Sequence, residues 1–150
     1  MSGDNDLINL YSSKILALAA DISRTDRLES PMASVKKRSP LCGSSVTVDL
    51  NVENGVVTGY GQDVKACALG QAAASVVGEA IIGTRVEQII TARDEMTAML
   101  KQNGPVPSAP FEGLAVMEPA RDFKNRHASI LLALDASVEA ITQIQAKEHA

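Results

Sequence analysis

The chain begins with apolar residues at helical spacing. Over residues 4–23 they recur every three or four positions, at Leu7, Tyr11, Ile15, Leu18 and Ile22. This spacing keeps them on one face of a helix. We therefore predict an amphipathic N-terminal helix over 4–23, followed by a polar loop that ends at Pro31.

A period of two replaces the helical period in the next segment. Polar residues alternate with Val46, Val48, Leu50 and Val52, which predicts a half-buried strand. Asn54-Gly55 is a strong signal for a two-residue hairpin turn, because both residues tolerate positive φ. Residues 56–60 then return as the partner strand, and residues 32–38 form a candidate edge strand. We predict a sheet of about three antiparallel strands.

From Ala66 onward the pattern is helical again. An alanine-rich segment ends at Gly83, a typical helix stop. The sequence from Thr84 to Glu87 has the form of a capping box, which predicts a second helix ending near residue 100. Residues 101–113 contain three prolines and two glycines and predict a long loop.

A short turn is expected within residues 114–121, and a last helix over 122–145, with His127 on its apolar stripe. Strands followed by helices indicate an α+β fold, with the helices packed on one face of the sheet.

Composition limits both the architecture and the function. A chain of 150 residues has the length of one domain, so we treat 1–150 as a single domain. The net charge of −4 argues against nucleic acid as a partner, although Lys36-Lys37-Arg38 is a local basic patch. No apolar run approaches the roughly 20 residues of a membrane span. The polar, acidic N-terminus resembles neither a secretory signal nor a transit peptide. We therefore expect a cytoplasmic protein that does not bind membranes.

Three residues are candidate ligands for a metal or a cluster: Cys42, Cys67 and His127. Cys42 lies in a glycine-containing turn, Cys67 opens a predicted helix near Lys65, and His127 lies near the start of the last helix. A helix N-terminus and a nearby cation both stabilise a thiolate. Two thiolates and an imidazole suit zinc or an iron–sulfur cluster.

The spacing of these residues matches no short metal-binding motif, so simpler roles stay open. Each cysteine could be a small buried core residue, and His127 a hydrogen-bonded packing residue. A nucleophilic pair of Cys67 and His127 is the one enzymatic candidate. No nucleophile elbow, H-E-x-x-H, P-loop or strand-linked G-x-G-x-x-G accompanies it. We therefore expect a protein that is not an enzyme.

The order of these motifs resembles the iron–sulfur cluster assembly scaffold family, which comprises the IscU and SufU proteins and the NifU N-terminal domain. Pro40-Leu41-Cys42-Gly43 resembles the turn that carries the family's first cysteine. Residues 66–75 resemble the second cysteine with its small-residue helix. Pro119-Ala120-Arg121 followed by His127-Ala128-Ser129 resembles the segment of the third cysteine. The resemblance extends over about residues 7–145, nearly the whole chain.

The resemblance implies a three-stranded antiparallel sheet covered by helices. It also implies that Cys42, Cys67 and His127 hold a [2Fe–2S] cluster or Fe²⁺, or alternatively Zn²⁺. The implied partners are a cysteine desulfurase, which supplies sulfur to Cys67 or Cys42, and client apoproteins. The implied location is the bacterial cytoplasm. Formation of a homodimer around a shared cluster stays open.

The chain departs from the family pattern at three places. Ser44 stands where the family has an Asp that binds metal and promotes cluster release. His127 stands in place of the third cysteine, and the N-terminal helix lacks the family's H-Y-x-N-P-R-N end. Asp63 is a candidate fourth ligand. An alternative hypothesis follows: a degenerate member that does not assemble clusters and is a zinc-holding or metal-free protein-interaction module.

Overall fold

A three-stranded antiparallel sheet with helices on one face forms the protein, in a computed structural model that describes residues 11–40 and 43–148. The strands are β1 (Ala33–Arg38), β2 (Ser45–Glu53) and β3 (Val56–Lys65), in the order β1-β2-β3. The α-helices are α1 (Ser13–Ala20), α2 (Ala68–Ile81), α3 (Val86–Lys101) and α4 (His127–Glu148). Two 3₁₀ segments, Glu112–Asp122 and Lys124–Arg126, precede α4. The predicted α+β fold is confirmed.

The hairpin between β2 and β3 forms where the sequence predicts it. Asn54 and Gly55 have φ of 53° and 76°, the left-handed values that a tight turn of this kind requires. β3 continues five residues beyond its predicted end at Tyr60, to Lys65. The pairing of Lys65 with Ser45 brings the end of β3 beside the start of β2. This end of the sheet positions the candidate site.

The inner face of the sheet is apolar and is covered by α4. The alternating side chains of β2 that point to this face are all buried: Val46, Val48, Leu50 and Val52. α4 packs on β1 and β2, and it also contacts α2 and α3. Its own buried residues include Ile130, Leu134 and Ile141. The core is therefore aliphatic, as the shortage of aromatic residues requires.

The ends of several helices differ from the prediction. The described part of the N-terminal helix runs only from Ser13 to Ala20, because Ser12 caps it through the backbone N–H of Ile15. Residues 4–10 of the predicted helix lie outside the described residues. α4 begins at His127 rather than near residue 122, and 3₁₀ turns occupy the preceding segment, where Pro119 lacks an N–H for a helical ladder.

The capping box that we predict at Thr84 is wrong by one residue. The side chain of Gln88 accepts a hydrogen bond from the backbone N–H of Arg85 at 2.9 Å, so α3 begins at Val86. Thr84 instead donates its hydroxyl to the carbonyl of Ile81 at 2.6 Å, at the end of α2. Among the described helices, none is long and apolar enough to cross a membrane.

Candidate functional site

Three polar side chains from different parts of the chain meet at the end of the sheet. The Sγ of Cys67 lies 3.4 Å from the Oγ of Ser129. Ser129 Oγ donates a hydrogen bond to Ser44 Oγ at 3.1 Å. Both serines are buried, whereas Cys67 is half-buried. We call Ser44, Cys67 and Ser129 the thiol cluster.

Local backbone structure brings Ser44 and Cys67 together. Ser44 directly precedes β2 and Cys67 follows β3 by two residues, and these two strand ends are paired. Cys67 is the N-cap of α2, in an extended conformation with φ of −67° and ψ of 170°. The N–H groups of a first helical turn have no partner within the helix, and they favour negative charge close to them. The thiol therefore lies at the positive end of the α2 dipole.

Gly70 makes the contact with α4 feasible. A Cβ added to Gly70 would lie 2.6 Å from Ser129 Oγ and 2.8 Å from the Cβ of Ala66. The absence of a side chain thus lets the first turn of α2 approach the first turn of α4. Ser129 is the functional candidate that the sequence analysis missed. Its signal in the sequence is the glycine three residues after Cys67, which marks a close helix contact.

Cys42 lies outside the described residues, whereas Ser39 before it and Gly43 and Ser44 after it are described. Gly43 has a φ of 70° and donates its N–H to the carbonyl of Ser39 at 3.0 Å. The N–H of Ser39 in turn donates to the carbonyl of Ser44 at 2.8 Å. These bonds link Ser39 to Gly43 and Ser44, and Ser44 belongs to the thiol cluster.

The resemblance implies that His127 is a ligand, and the structure shows its ring bonded to backbone carbonyls. It is buried, with 4% of its surface exposed. Its Nε2 lies 2.9 Å from the carbonyl oxygen of Ala120 and 3.1 Å from that of Arg121. Because carbonyl oxygens only accept, Nε2 carries the hydrogen. These are the contacts of a hydrogen-bonded packing residue, and the role of His127 as a ligand stays a prediction.

The α4 residue that meets Cys67 is Ser129, which is rotated about 200° around the helix from His127. Within the described residues, no group of three or more His, Cys, Asp or Glu side chains could hold a metal ion. The thiol cluster therefore provides one thiol, from Cys67, and two hydroxyls, from Ser44 and Ser129. A second thiol would come from Cys42.

Asp63 lies on the other face of the sheet. It is exposed and pairs with Thr47, whereas its neighbour Gln62 is buried on the inner side. The pKa of the Arg27 guanidinium is raised mainly by its hydrogen bond to Asp49, and the charge of Asp63 adds to this effect. Asp63 is therefore part of the electrostatic environment of Arg27, on the outer face.

Comparisons with known proteins agree on one kind of relative. The chain matches the model of the NifU-like N-terminal domain over residues 10–149. The iron–sulfur cluster assembly scaffold protein IscU of Thermotoga maritima is 27% identical over 135 residues, covering 90% of this chain and 94% of that protein.

Solved structures show the same similarity. The crystal structure of a nitrogen-fixing NifU-like protein (N-terminal) from Brucella abortus superposes with a TM-score of 0.93 at 44% identity, covering 95% of this chain and 99% of that one. A putative SUF-system scaffold protein from Fervidobacterium islandicum AW-1 has a TM-score of 0.77 at 17% identity, covering 89% and 97%. The second similarity concerns the fold alone.

Proposed function

Because the chain belongs to the family of NifU-like N-terminal domains, we propose that it is an iron–sulfur cluster assembly scaffold. Its substrate would be the cluster itself, as a [2Fe–2S] unit, or the iron from which the cluster is built. It would receive sulfur from a cysteine desulfurase and pass sulfur or cluster to client apoproteins in the bacterial cytoplasm. This is binding and transfer rather than enzymatic turnover. The name of the Thermotoga maritima relative supports the proposal.

The observation that carries the proposal is the meeting of the two cysteine-bearing segments. The turn that carries Cys42 ends at Ser44, whose Oγ accepts a hydrogen bond from Ser129 at 3.1 Å. Ser129 Oγ lies 3.4 Å from the thiol of Cys67 at the positive end of α2. Thiolates are the usual protein ligands of iron–sulfur clusters. The thiol of Cys67 fits part of such a ligand set, and Cys42 precedes the described residues Gly43 and Ser44 in the sequence.

Within this proposal, Cys42 and Cys67 bind iron, and Cys67 is the acceptor of sulfur because its thiol is only half-buried. In the structure the single hydrogen of Ser129 Oγ is donated to Ser44, so the thiol of Cys67 is the donor to Ser129. Once Cys67 binds iron as a thiolate, the Ser129 hydroxyl would turn and donate to sulfur, which tunes the charge that a cluster carries. His127 is the third proposed ligand, and its Nε2 would first have to give up its bonds to Ala120 and Arg121.

Anaerobic reconstitution with Fe²⁺ and sulfide tests the proposal. We expect the wild-type protein to gain iron, acid-labile sulfide and visible sulfur-to-iron absorption bands. Cys42→Ser and Cys67→Ser should each lose the bands while circular dichroism shows an unchanged fold. Equal iron and sulfide in both variants and in the wild type would refute the proposal. A folded His127→Ala protein that retains its cluster would limit the ligands to the cysteines.

The second hypothesis is a non-assembling member that holds zinc or acts as a metal-free interaction module. The observation that favours it is the pair of hydroxyls beside Cys67, where a cluster site would gain from thiolates or carboxylates. Elemental analysis of anaerobically purified protein separates the two hypotheses. Zinc alone, lost in Cys67→Ser, or no metal at all would support the second.

A further inference from the structure

An open cavity of about 520 Å³ lies where the end of α3 faces the start of α4. Its volume is in the range of sites that bind small molecules. Leu100 provides an apolar wall, and Asn103 and His127 provide polar ones. Charged walls come from Lys101, Arg121, Asp122 and Lys124. Neither Ser44, Cys67 nor Ser129 lines it, and His127 is the one residue that it shares with the proposed ligand set.

The charges around the cavity favour an anion. Three cationic side chains and one carboxylate line it, so the walls carry a surplus of two positive charges. The chain as a whole has a net charge of −4, so this surplus is a local concentration. The N-terminus of α4, which begins at His127, adds the partial positive charge of a 22-residue helix.

Arg121 holds the walls in place without a ligand. Its Nε donates to the carbonyl of Met99 at 2.9 Å, and its Nη2 donates to the carbonyl of Gly104 at 2.7 Å. Glu118 lies 3.6 Å from the same Nη2. The loop after α3 is turned by Asn103, whose φ is 55°. Because the walls are held in advance, less conformational entropy is lost when a ligand binds.

His127 adds a hydrogen-bond acceptor. Its Nε2–H is directed to the carbonyls of Ala120 and Arg121, so Nδ1 is the ring nitrogen that these bonds leave unused. Among the described residues, no group forms a hydrogen bond with Nδ1, although only 4% of the surface of His127 is exposed. Because His127 lines the cavity, its ring nitrogen Nδ1 is the atom to which a ligand's hydroxyl group would donate.

We propose that this cavity binds a small organic anion that carries a carboxylate or a phosphate together with a hydroxyl group. Lys101 and Lys124 bind the anionic group, Arg121 keeps the walls in position, and His127 selects the hydroxyl. The cavity shares one residue with the proposed function, since His127 is also the third proposed cluster ligand. The anion proposal concerns the cluster-free protein, in which His127 keeps its bonds to Ala120 and Arg121.

Titration of the full chain with three small organic anions, followed by NMR of its backbone amides, tests the proposed binding site. The probes are malate, succinate and glycerol 3-phosphate. Succinate is malate without the hydroxyl, and glycerol 3-phosphate presents a phosphate in place of the carboxylates. We expect saturable shifts confined to residues 100–104 and 121–127. Malate should bind at least about threefold more tightly than succinate, since one hydrogen bond contributes roughly 1 kcal/mol. The tighter of malate and glycerol 3-phosphate identifies the anionic group.

Two variants and a matched control complete the test. Lys101→Gln and Lys124→Gln should each raise the Kd about threefold to tenfold. Lys36→Gln removes the same charge from an exposed position on β1 and should leave the Kd unchanged. Non-saturable shifts, or an equal loss in Lys36→Gln, would refute the site. Equal affinity for malate and succinate would refute the role of His127.

Discussion

At the scale of single residues, Asp49 is the most completely paired charge on the outer face of the sheet. It is fully buried, and its carboxylate accepts hydrogen bonds from Arg27 at 2.6 and 3.0 Å, from Ser34 at 2.7 Å and from the N–H of Leu28 at 3.1 Å. Burial by itself raises the pKa of this carboxyl, but the bonds outweigh it and hold the pKa below 3.8. Asp49 therefore fastens the segment before β1 to the sheet.

Replacing Asp49 with Asn should lower the free energy of unfolding at pH 7 by about 1–3 kcal/mol. We keep to this range because Arg27 is half-exposed and solvent screens part of the interaction. The folded-state pKa is lowered, so the stabilisation is present above the unfolded value of 3.8 and is lost as pH falls through the folded value. Urea unfolding followed by circular dichroism at pH 7 and pH 3 measures both effects.

The wild-type protein should lose more stability between these pH values than Asp49→Asn does. Asp63→Asn is the matched control, because Asp63 is exposed on the same face. It should change stability at pH 7 by less than about 0.5 kcal/mol. An equal loss in both variants would mean that the general charge of this face, rather than the bonds to Asp49, stabilises the fold.

At the scale of elements, two glycines let α2 pack closely on its neighbours. Gly70 faces Ser129 on α4, and a Cβ there would lie 2.6 Å from its Oγ. Gly78 faces the loop after α1, where a Cβ would meet Ser23 and would lie 2.9 Å from the Nε2 of Gln62. Gln62 itself is bonded to the carbonyls of Ser23 and Ala74 at 3.0 and 2.9 Å. α2 thus has two close contacts that each depend on a glycine, and the contact of Gly70 with Ser129 borders the thiol cluster.

Gly70→Ala and Gly78→Ala should each destabilise the fold by about 1–3 kcal/mol, because overpacking outweighs the better helix propensity of alanine. Only Gly70→Ala should change the chemistry of Cys67. By pushing α4 away from α2, it should raise the rate at which Cys67 reacts with a maleimide about threefold or more. The rate is measured in a Cys42→Ser background, and stability is measured by urea unfolding. If Gly70→Ala and Gly78→Ala change the rate of the maleimide reaction equally, the effect is due to lost stability alone.

The sequence predicted those elements whose signals are local. Asn54-Gly55 determines its turn by backbone conformation, and the alternation from Val46 to Val52 identifies β2, so the sheet could be predicted. The full length of β3 could not, because Gly59 and Gly61 interrupt its apolar pattern. A Cβ on Gly61 would lie 2.5 Å from the carbonyl oxygen of Asp26, so this glycine is required by tertiary packing.

In the candidate site, too, the residues with a local sequence signal could be predicted, and those placed by tertiary packing could not. Cys67 is found at a helix N-terminus, as its position after a strand predicts. Ser129 was missed because its contact depends on the rotation of α4 against α2, which no local pattern encodes. His127 stands on the apolar stripe of α4 and is buried there, so the stripe predicted its burial but not the direction of its ring.

At the scale of the whole molecule, the thiol cluster exists only when three distant stretches of chain are folded together. Ser44 comes from the turn before β2, Cys67 from the start of α2, and Ser129 from the first turn of α4. The strand pairing between Ser45 and Lys65 joins the first two. The packing of α4 on the sheet brings in the third. A new thiol at residue 129 would therefore join the cluster through tertiary structure.

Ser129→Cys tests this arrangement directly. The substitution places a thiol where the hydroxyl lies 3.4 Å from Cys67 Sγ, so a cluster bound by Cys42 and Cys67 gains a third thiolate. The protein is reconstituted anaerobically with a reductant that keeps the thiols free. We expect the half-life of the cluster in EDTA to be at least about threefold longer than in the wild type. A further stabilisation of the cluster by roughly 0.7 kcal/mol corresponds to a change of this size.

Ser137→Cys is the control for thiol content, because Ser137 is buried on the same helix and donates its hydroxyl to Ala133 at 2.7 Å. Its half-life should equal that of the wild type. If Ser129→Cys and Ser137→Cys behave alike, the cluster is not held beside residue 129. If only Ser129→Cys retains iron longer, a cluster is held beside residue 129, next to the thiol of Cys67.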